Sequence, residues 1–485
     1  MSENEQSYQQ KGKKSFLNPA HTPQYLACGI LSIGGFLGGT FTGWSSTALP
    51  SIQSSNHFPG LTPTDLSWIA SIATLGCLAG CPTGGYLIRV FGRKKSMTFS
   101  SIPYAIGWLT LTFPLQVWML YFGRFLTGFG LGILTLSASV YLSEIAVPEL
   151  RGRLSVIWFV MIRIGTLFEY GIGSILPYNQ VSAISVLISI ALGVSIIFVP
   201  ESPRWLVSKM RRDDAMISLC WLRACKKDVP SQDIVDEIEE IERVALKTEK
   251  ENKEFKFSSY FTNRPVIKAI LIASTLMFFK EACGGTAFAF FAVQIFENIG
   301  SPFNSHTSGV LVGVAQLGGI VITVFCVDKV GRRLLLNSAF VIMSLSVATL
   351  GLFQQYEKGI DDLSQKSEWI PLICLVFYHA AFCGGPFVLA YTVSSEIIPT
   401  YVIGSVSGLV TAIGWMTAFI FARCYQDMND GIGVANTFWL FALFSGVGAL
   451  CVYFLVPETV GRSLENIHEQ GTNDNCEMKN DEETV

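Results

Sequence analysis

Residues 199–206 read VPESPRWL and residues 456–467 read VPETVGRSLENI. Each begins where a series of apolar stretches ends. Six stretches precede the first, at roughly 26–49, 66–88, 97–117, 119–142, 154–176 and 182–199. Six more lie between the two, at roughly 267–296, 307–327, 334–354, 369–394, 403–425 and 434–456. About 20 apolar residues of helix cross the hydrocarbon core of a bilayer. The spacing therefore predicts an all-α membrane protein with twelve transmembrane helices in two sets of six. The totals point the same way: 485 residues, 50% hydrophobic, only 15% charged, mean hydropathy +0.44. A net charge of −3 offers no basic field for nucleic acid.

Two further motif pairs sit at matching places. FGRKK (91–95) follows the second stretch and VGRRL (330–334) the eighth. YLSEIAVPELRG (141–152) follows the fourth and VSSEIIPTYVIG (393–404) the tenth. Three pairs at equivalent positions describe a parallel internal repeat of two six-helix halves.

Basic residues orient the predicted spans. Lys11, Lys13 and Lys14, Arg93, Lys94 and Lys95, Arg151 and Arg153, Lys329, Arg332 and Arg333, and Arg462 fall on one side. The loops at 50–65, 177–181, 297–306 and 426–433 carry none, and only 355–368, with Lys358 and Lys366, breaks the pattern. Both termini are expected in the cytoplasm, and the polar start MSENEQSYQQKGKKSF does not read as a signal peptide. The expected organisation is a tail at 1–25, a half at 26–199, a connection at 200–266, a half at 267–456 and a tail at 457–485. In the connection, Ile234, Ile238, Ile241 and Val244 recur at helical spacing among charges, which predicts an amphipathic helix pair packed under the bundle. Gly35, Gly39 and Gly43, and Gly76, Gly80 and Gly84, repeat every four residues, the spacing of close helix contacts. The scattered cysteines read as small packing residues. No nucleophile–base set, phosphate loop or metal cluster is visible, so neither an enzyme nor a cofactor is expected.

PESPRWL, PETVGRSLENI, YLSEIAVPELRG and GRFLTGFGLG (123–132) together make the chain resemble the sugar porter family of the major facilitator superfamily, over essentially its whole length. GWSSTALPSI (43–52) is most similar to the insect trehalose and facilitative glucose transporter branch. The resemblance implies the major facilitator fold and a small sugar as substrate, with a monomer in the bilayer as the expected working unit. It also implies a cytoplasmic gate. Glu144, Arg151, Glu201, Arg204, Arg332, Arg333, Glu396, Glu458 and Arg462 stand at matching span ends, with Arg93, Arg124 and Asp328 counted among them. Such ion pairs would hold the halves together in the outward-facing state and break when the site opens inward. Arg89, where the family usually has an acid, and Ile403, where it has an arginine, thin that gate.

Sugar porters grip hydroxyls with amides and cover sugar faces with aromatics. The positions that match the family's amide motif in the seventh span read Lys280, Glu281, Gly284 and Thr286 here, and the fifth-span glutamine falls on Phe159. Gln316 keeps an amide, Tyr391 stands at a tryptophan position, and Trp415 is retained after Gly414. Arg163, Glu169, Lys280, Glu281 and His379 are ionisable groups deep inside spans. Each costs roughly 2.5–3.5 kcal/mol there on translocon scales, which makes them candidates for function. Neighbouring residues on a helix point about 100° apart, so Lys280 and Glu281 are expected to seek separate partners. The expected contacts are Arg163 with Glu281 across the halves, and Lys280 with Glu169 or substrate. Without a carboxylate in the first span, facilitated uniport of trehalose or a hexose is the leading reading. Proton symport, carriage of a charged or zwitterionic solute, and a non-transporting nutrient receptor stand as alternatives.

Overall fold

The computed structural model describes residues 21–55, 57–225, 231–254, 264–357, 369–398 and 402–458. The N-terminal half is α1 (Thr22–Ser54), α2 (Pro63–Val90), α3 (Arg93–Thr112), α4 (Val117–Ile145), α5 (Pro148–Gly173) and α6 (Tyr178–Ser195). The connection holds α7 (Pro203–Ser208), α8 (Arg212–Leu222) and α9 (Gln232–Glu254). Next come α10 (Arg264–Ala282), α11 (Gly285–Phe290), α12 (Ala292–Ile299), α13 (Ser305–Val330) and α14 (Arg332–Glu357). The C-terminal half closes with α15 (Trp369–Gly384), α16 (Pro386–Ile397), α17 (Ile403–Ile432) and α18 (Val434–Leu455).

Among the described residues, ten helical spans are long and apolar enough to cross a membrane, the α15–α16 pair counting as one. The third place in the series of twelve belongs to α3, whose first turn is Arg93-Lys94-Lys95, and the seventh to the broken run α10–α12. Local chemistry sets the ends. Thr62 caps α2 by accepting from the Asp65 N–H at 3.2 Å, while the Asp65 carboxylate accepts from the Thr62 N–H at 2.8 Å. Pro63, Pro148, Pro203 and Pro386 occupy first helical turns, where a missing N–H costs nothing.

Two predicted spans are interrupted. The seventh breaks at Cys283–Gly284, with Gly284 at φ +98°, a conformation that glycine adopts without a Cβ penalty. The tenth breaks at Gly385 before Pro386.

Within the first half α1 packs on α5 and α2 on α4. A methyl group on Gly39 would lie 2.0 Å from the Ile162 carbonyl, and one on Gly76 2.2 Å from that of Phe125, so these backbones touch. In the second half α14 packs on α18, α13 on α15, and α10 on α17. The halves meet through α5 with α13, α2 with α17, and α1 with α11 and α12.

One end of the bundle carries Arg93, Lys94, Arg332 and Arg333, and is called here the basic end. The connection caps it: Ile234 and Ile238 of α9 are buried with Trp205, Leu206 and Leu219. Its apolar stripe stops at Ile241, because Val244 is exposed, and the expected helix pair is three helices. Arg223 anchors the connection, donating to Glu237 at 2.6 Å and to the Ile145 carbonyl at the end of α4 at 3.1 Å.

Candidate functional site

Arg163, Gln316 and His379 lie ten or eleven residues from the ends of α5, α13 and α15 opposite the basic end. At 1.5 Å per residue that is a common depth of about 15–17 Å. Arg163 Nη1 donates to Gln316 Oε1 at 3.0 Å, and Gln316 Nε2 lies 3.2 Å from His379 Nδ1. This chain crosses from one half to the other, and all three side chains are buried. The Arg163 guanidinium carbon also stands 3.6 Å from the centre of the Phe387 ring.

Lys280 and Glu281 end α10 in the same interior, at 5% and 4% exposure. They pair with each other: Lys280 Nζ donates to Glu281 Oε1. Glu281 Oε2 accepts from the Thr286 hydroxyl at 2.5 Å, and Lys280 Nζ lies 5.0 Å from the centre of the Tyr391 ring. The expected Arg163–Glu281 and Lys280–Glu169 contacts are therefore not present. The helix stops at Ala282, and Thr286 returns from beyond the break to hold Glu281, so the carboxylate is not directed along a regular helix face. The long lysine stem supplies the remaining reach.

Glu169 lies elsewhere, inside the first half. It is wholly buried, its Cβ would meet a methyl on Gly43 of α1 at 2.7 Å, and neither oxygen has a hydrogen-bond partner among the described residues. The charge that reaches it is Arg124, not Lys280.

Phe159, Tyr391 and Trp415 are half-buried and lie on the basic-end side of these charges. Phe159 stands 5.7 Å from Phe387 and 6.2 Å from Tyr391 across the halves. On the opposite side the halves are sealed. The Val293 N–H donates to Ser46 Oγ at 3.0 Å, the Tyr170 hydroxyl to the Ala289 carbonyl at 2.9 Å, and Ser67 Oγ to the Arg423 carbonyl at 2.7 Å. Trp68 and Phe419 pack with ring centres 6.0 Å apart. Phe387, Tyr170 and Ser46 escaped the sequence reading. Positions 159, 163, 166 and 170 recur at spacings of four, three and four, and that single face of α5 was the available signal.

At the basic end the expected charges form two matching clusters. Arg93 grips Glu144 with two bonds, 2.8 and 2.6 Å, and Ser202 donates to Glu144 at 2.5 Å. Glu201 accepts from the backbone N–H of Arg93 at 2.9 Å and of Lys94 at 3.2 Å, placing a carboxylate on the start of α3. Burial pushes the Glu201 carboxyl up from its ordinary range, against these N–H groups and Arg93. In the second half Glu458 accepts from the N–H groups of Arg332 and Arg333 at 3.2 Å each, and Arg332 pairs with Glu396 at 3.0 Å. Arg333 donates to the Tyr453 carbonyl. Each of these ion pairs joins helices of one half, because the acid and base of each motif sit at adjoining helix ends of the same repeat; the structure is closed at the opposite end, the state in which pairs between the halves are expected to be broken.

Arg204 is exposed on α7. Arg124 does not belong to this end. It is fully buried seven residues into α4 from the other end, donating to Ser45 Oγ at 2.7 Å and to the carbonyls of Phe41 and Ile69. Arg462 and the side chains of Arg151 and Asp328 lie outside the described residues.

Residues 27–470 match the family described as "Sugar (and other) transporter". The facilitated trehalose transporter Tret1 of Polypedilum vanderplanki is 33% identical over 465 residues, covering 94% of this chain and 90% of its own length. The protein of the same name from Aedes aegypti is also 33% identical, over 92% of this chain, which spans only about half (54%) of that relative. Among solved structures, the proton:xylose symporter XylE bound to 6-bromo-6-deoxy-D-glucose superposes with a TM-score of 0.75 at 20% identity, over 93% of this chain and 99% of that one. At that identity the likeness speaks for the fold.

Proposed function

The chain belongs to the sugar (and other) transporter family, and on that premise we propose that it carries a sugar across a membrane by alternating access. The observation that supports this most is the Arg163–Gln316 hydrogen bond, which joins the halves at a buried site between sealed helices on one side and half-buried aromatics on the other. Rocking the halves about that point would expose the site to each side in turn. The moving units are 26–199 and 267–456. The basic end, with the connection at 200–266 and the tails at 1–25 and 457–485, faces the cytoplasm. A monomer in the plasma membrane suffices, with no cofactor, nucleic acid or chemical step.

Trehalose, named in the relatives, and hexoses are the substrates to try first. Radiolabelled trehalose, glucose and fructose are offered to oocytes expressing the full chain. Saturable uptake of at least one is expected. Ligand binding to the purified protein with no uptake of any labelled sugar would instead make it a receptor on a transporter fold.

A second reading, proton-coupled transport, is favoured by one observation: Glu169 is a fully buried carboxyl whose oxygens lack partners among the described residues. Carboxyls inside membrane spans mark proton relays in pumps and transporters. On this reading uptake follows an inward proton gradient in the wild type and loses that dependence in Glu169→Gln. Uptake indifferent to the gradient in both proteins would leave plain uniport.

A further inference from the structure

Two of the three charges around the central site neutralise each other, and the third has no counter-charge. Lys280 is matched by Glu281. Arg163 has no carboxylate within ion-pair distance among the described residues; its one charged or polar side-chain partner is the Gln316 amide, and its Nε, though buried, donates to nothing. Glu169, on the same helix, is packed on Gly43 inside the first half. A guanidinium cannot discharge by losing its proton, so a buried one is met by several oxygens, as Arg124 is by two carbonyls and a hydroxyl, or by an anion or water; Arg163 has only the Gln316 oxygen among the described residues. Phe387 covers its face and leaves the edge, where the N–H groups are, as the direction of approach.

The neighbouring groups extend the donor set. Gln316 Oε1 accepts from Arg163, so its amide nitrogen faces His379 Nδ1. That nitrogen must then accept, and the ring proton resides on His379 Nε2. The Tyr170 hydroxyl proton is committed to the Ala289 carbonyl. The site is thus rich in N–H donors and carries one surplus positive charge.

Building on the transport reading above, we infer that Arg163 is the binding site for the carboxylate of a sugar acid, a pyranose with a single negative charge. Guanidinium and carboxylate match in two parallel hydrogen bonds. The count of one unmatched cation favours a monoanion over a phosphorylated sugar. The half-buried Phe159, Tyr391 and Trp415 leave aromatic surface for the sugar ring.

The test uses the full chain in proteoliposomes with labelled D-glucuronate and D-glucose. D-glucuronate is expected to be carried and to inhibit glucose entry. Arg163→Gln is expected to lower the ratio of glucuronate to glucose uptake by about tenfold or more, the scale of a charge-assisted bond. Arg163→Lys is expected to recover part of that ratio. Glucose carriage with no effect of glucuronate, or an unchanged ratio in Arg163→Gln, would overturn the inference. So would loss of wild-type glucose uptake when methanesulfonate replaces chloride, since the site would then hold an inorganic ion. If neither sugar is carried, the transport reading fails and melting temperature decides the site. A rise with glucuronate in the wild type but not in Arg163→Gln would sustain the inference, and no rise in either would end it.

Discussion

Lys280 and Glu281 pair although they are sequence neighbours, because the helix carrying them ends one residue later and Thr286 returns to fix the carboxylate. Their positions were legible in the sequence: charges inside an apolar run are costly and therefore conspicuous. Their partnership was not, because a regular helix through Gly284 would point them apart and the break there is set by packing. The same holds for Arg163, whose depth is legible in the sequence while its partner on another helix, Gln316, is not. Removing one member of a buried ion pair leaves the other uncompensated, at a cost of about 3–5 kcal/mol, whereas removing both is far milder. Lys280→Gln and Glu281→Gln should each lower the melting temperature of the purified protein, and the double substitution should recover most of the loss. A double variant as unstable as the sum of the singles would mean that the pair is not a unit.

Elements are where the motifs changed meaning. Matched acids and bases at span ends suggest a clamp between halves in the outward-facing state; in this structure, closed at the opposite end, each motif turns inward on its own half. Gly92 and Gly331 leave the room: a Cβ on either would strike the Glu201 or Glu458 carboxylate, at 2.3 and 2.7 Å. The motifs place acid and helix start at the same end of their half, but do not show that the backbone N–H groups donate to the carboxylate. Those groups carry the positive end of the helix dipole. Glu201→Ala should therefore destabilise the protein by roughly 1–2 kcal/mol in thermal or denaturant unfolding, with a smaller effect for Glu201→Asp. Equal loss in Arg93→Ala and Glu201→Ala, with nothing further in the double variant, would assign the effect to the Arg93 side chain instead.

For the whole molecule, hydropathy and the internal repeat made the two-half architecture readable, because spanning a bilayer imposes length and composition on every helix. Which side the halves close on was not readable. That choice depends on a small difference between two packings of the same helices, and here contacts such as Trp68–Phe419 and Val293–Ser46 close the end away from the basic motifs. If the halves must part there during each cycle, tying them together must stop transport without harming the fold. Trp68 and Phe419 pack against each other across the halves, so cysteines in their place can be bridged by a bis-methanethiosulfonate reagent, whose links to the protein are cleaved by reduction. The decisive measurement is sugar counterflow in proteoliposomes with Trp68→Cys/Phe419→Cys, before the bifunctional reagent, after it and after reduction. Alternating access predicts an overshoot of labelled sugar that vanishes on crosslinking and returns on reduction. An overshoot that persists in the fully crosslinked protein would contradict it.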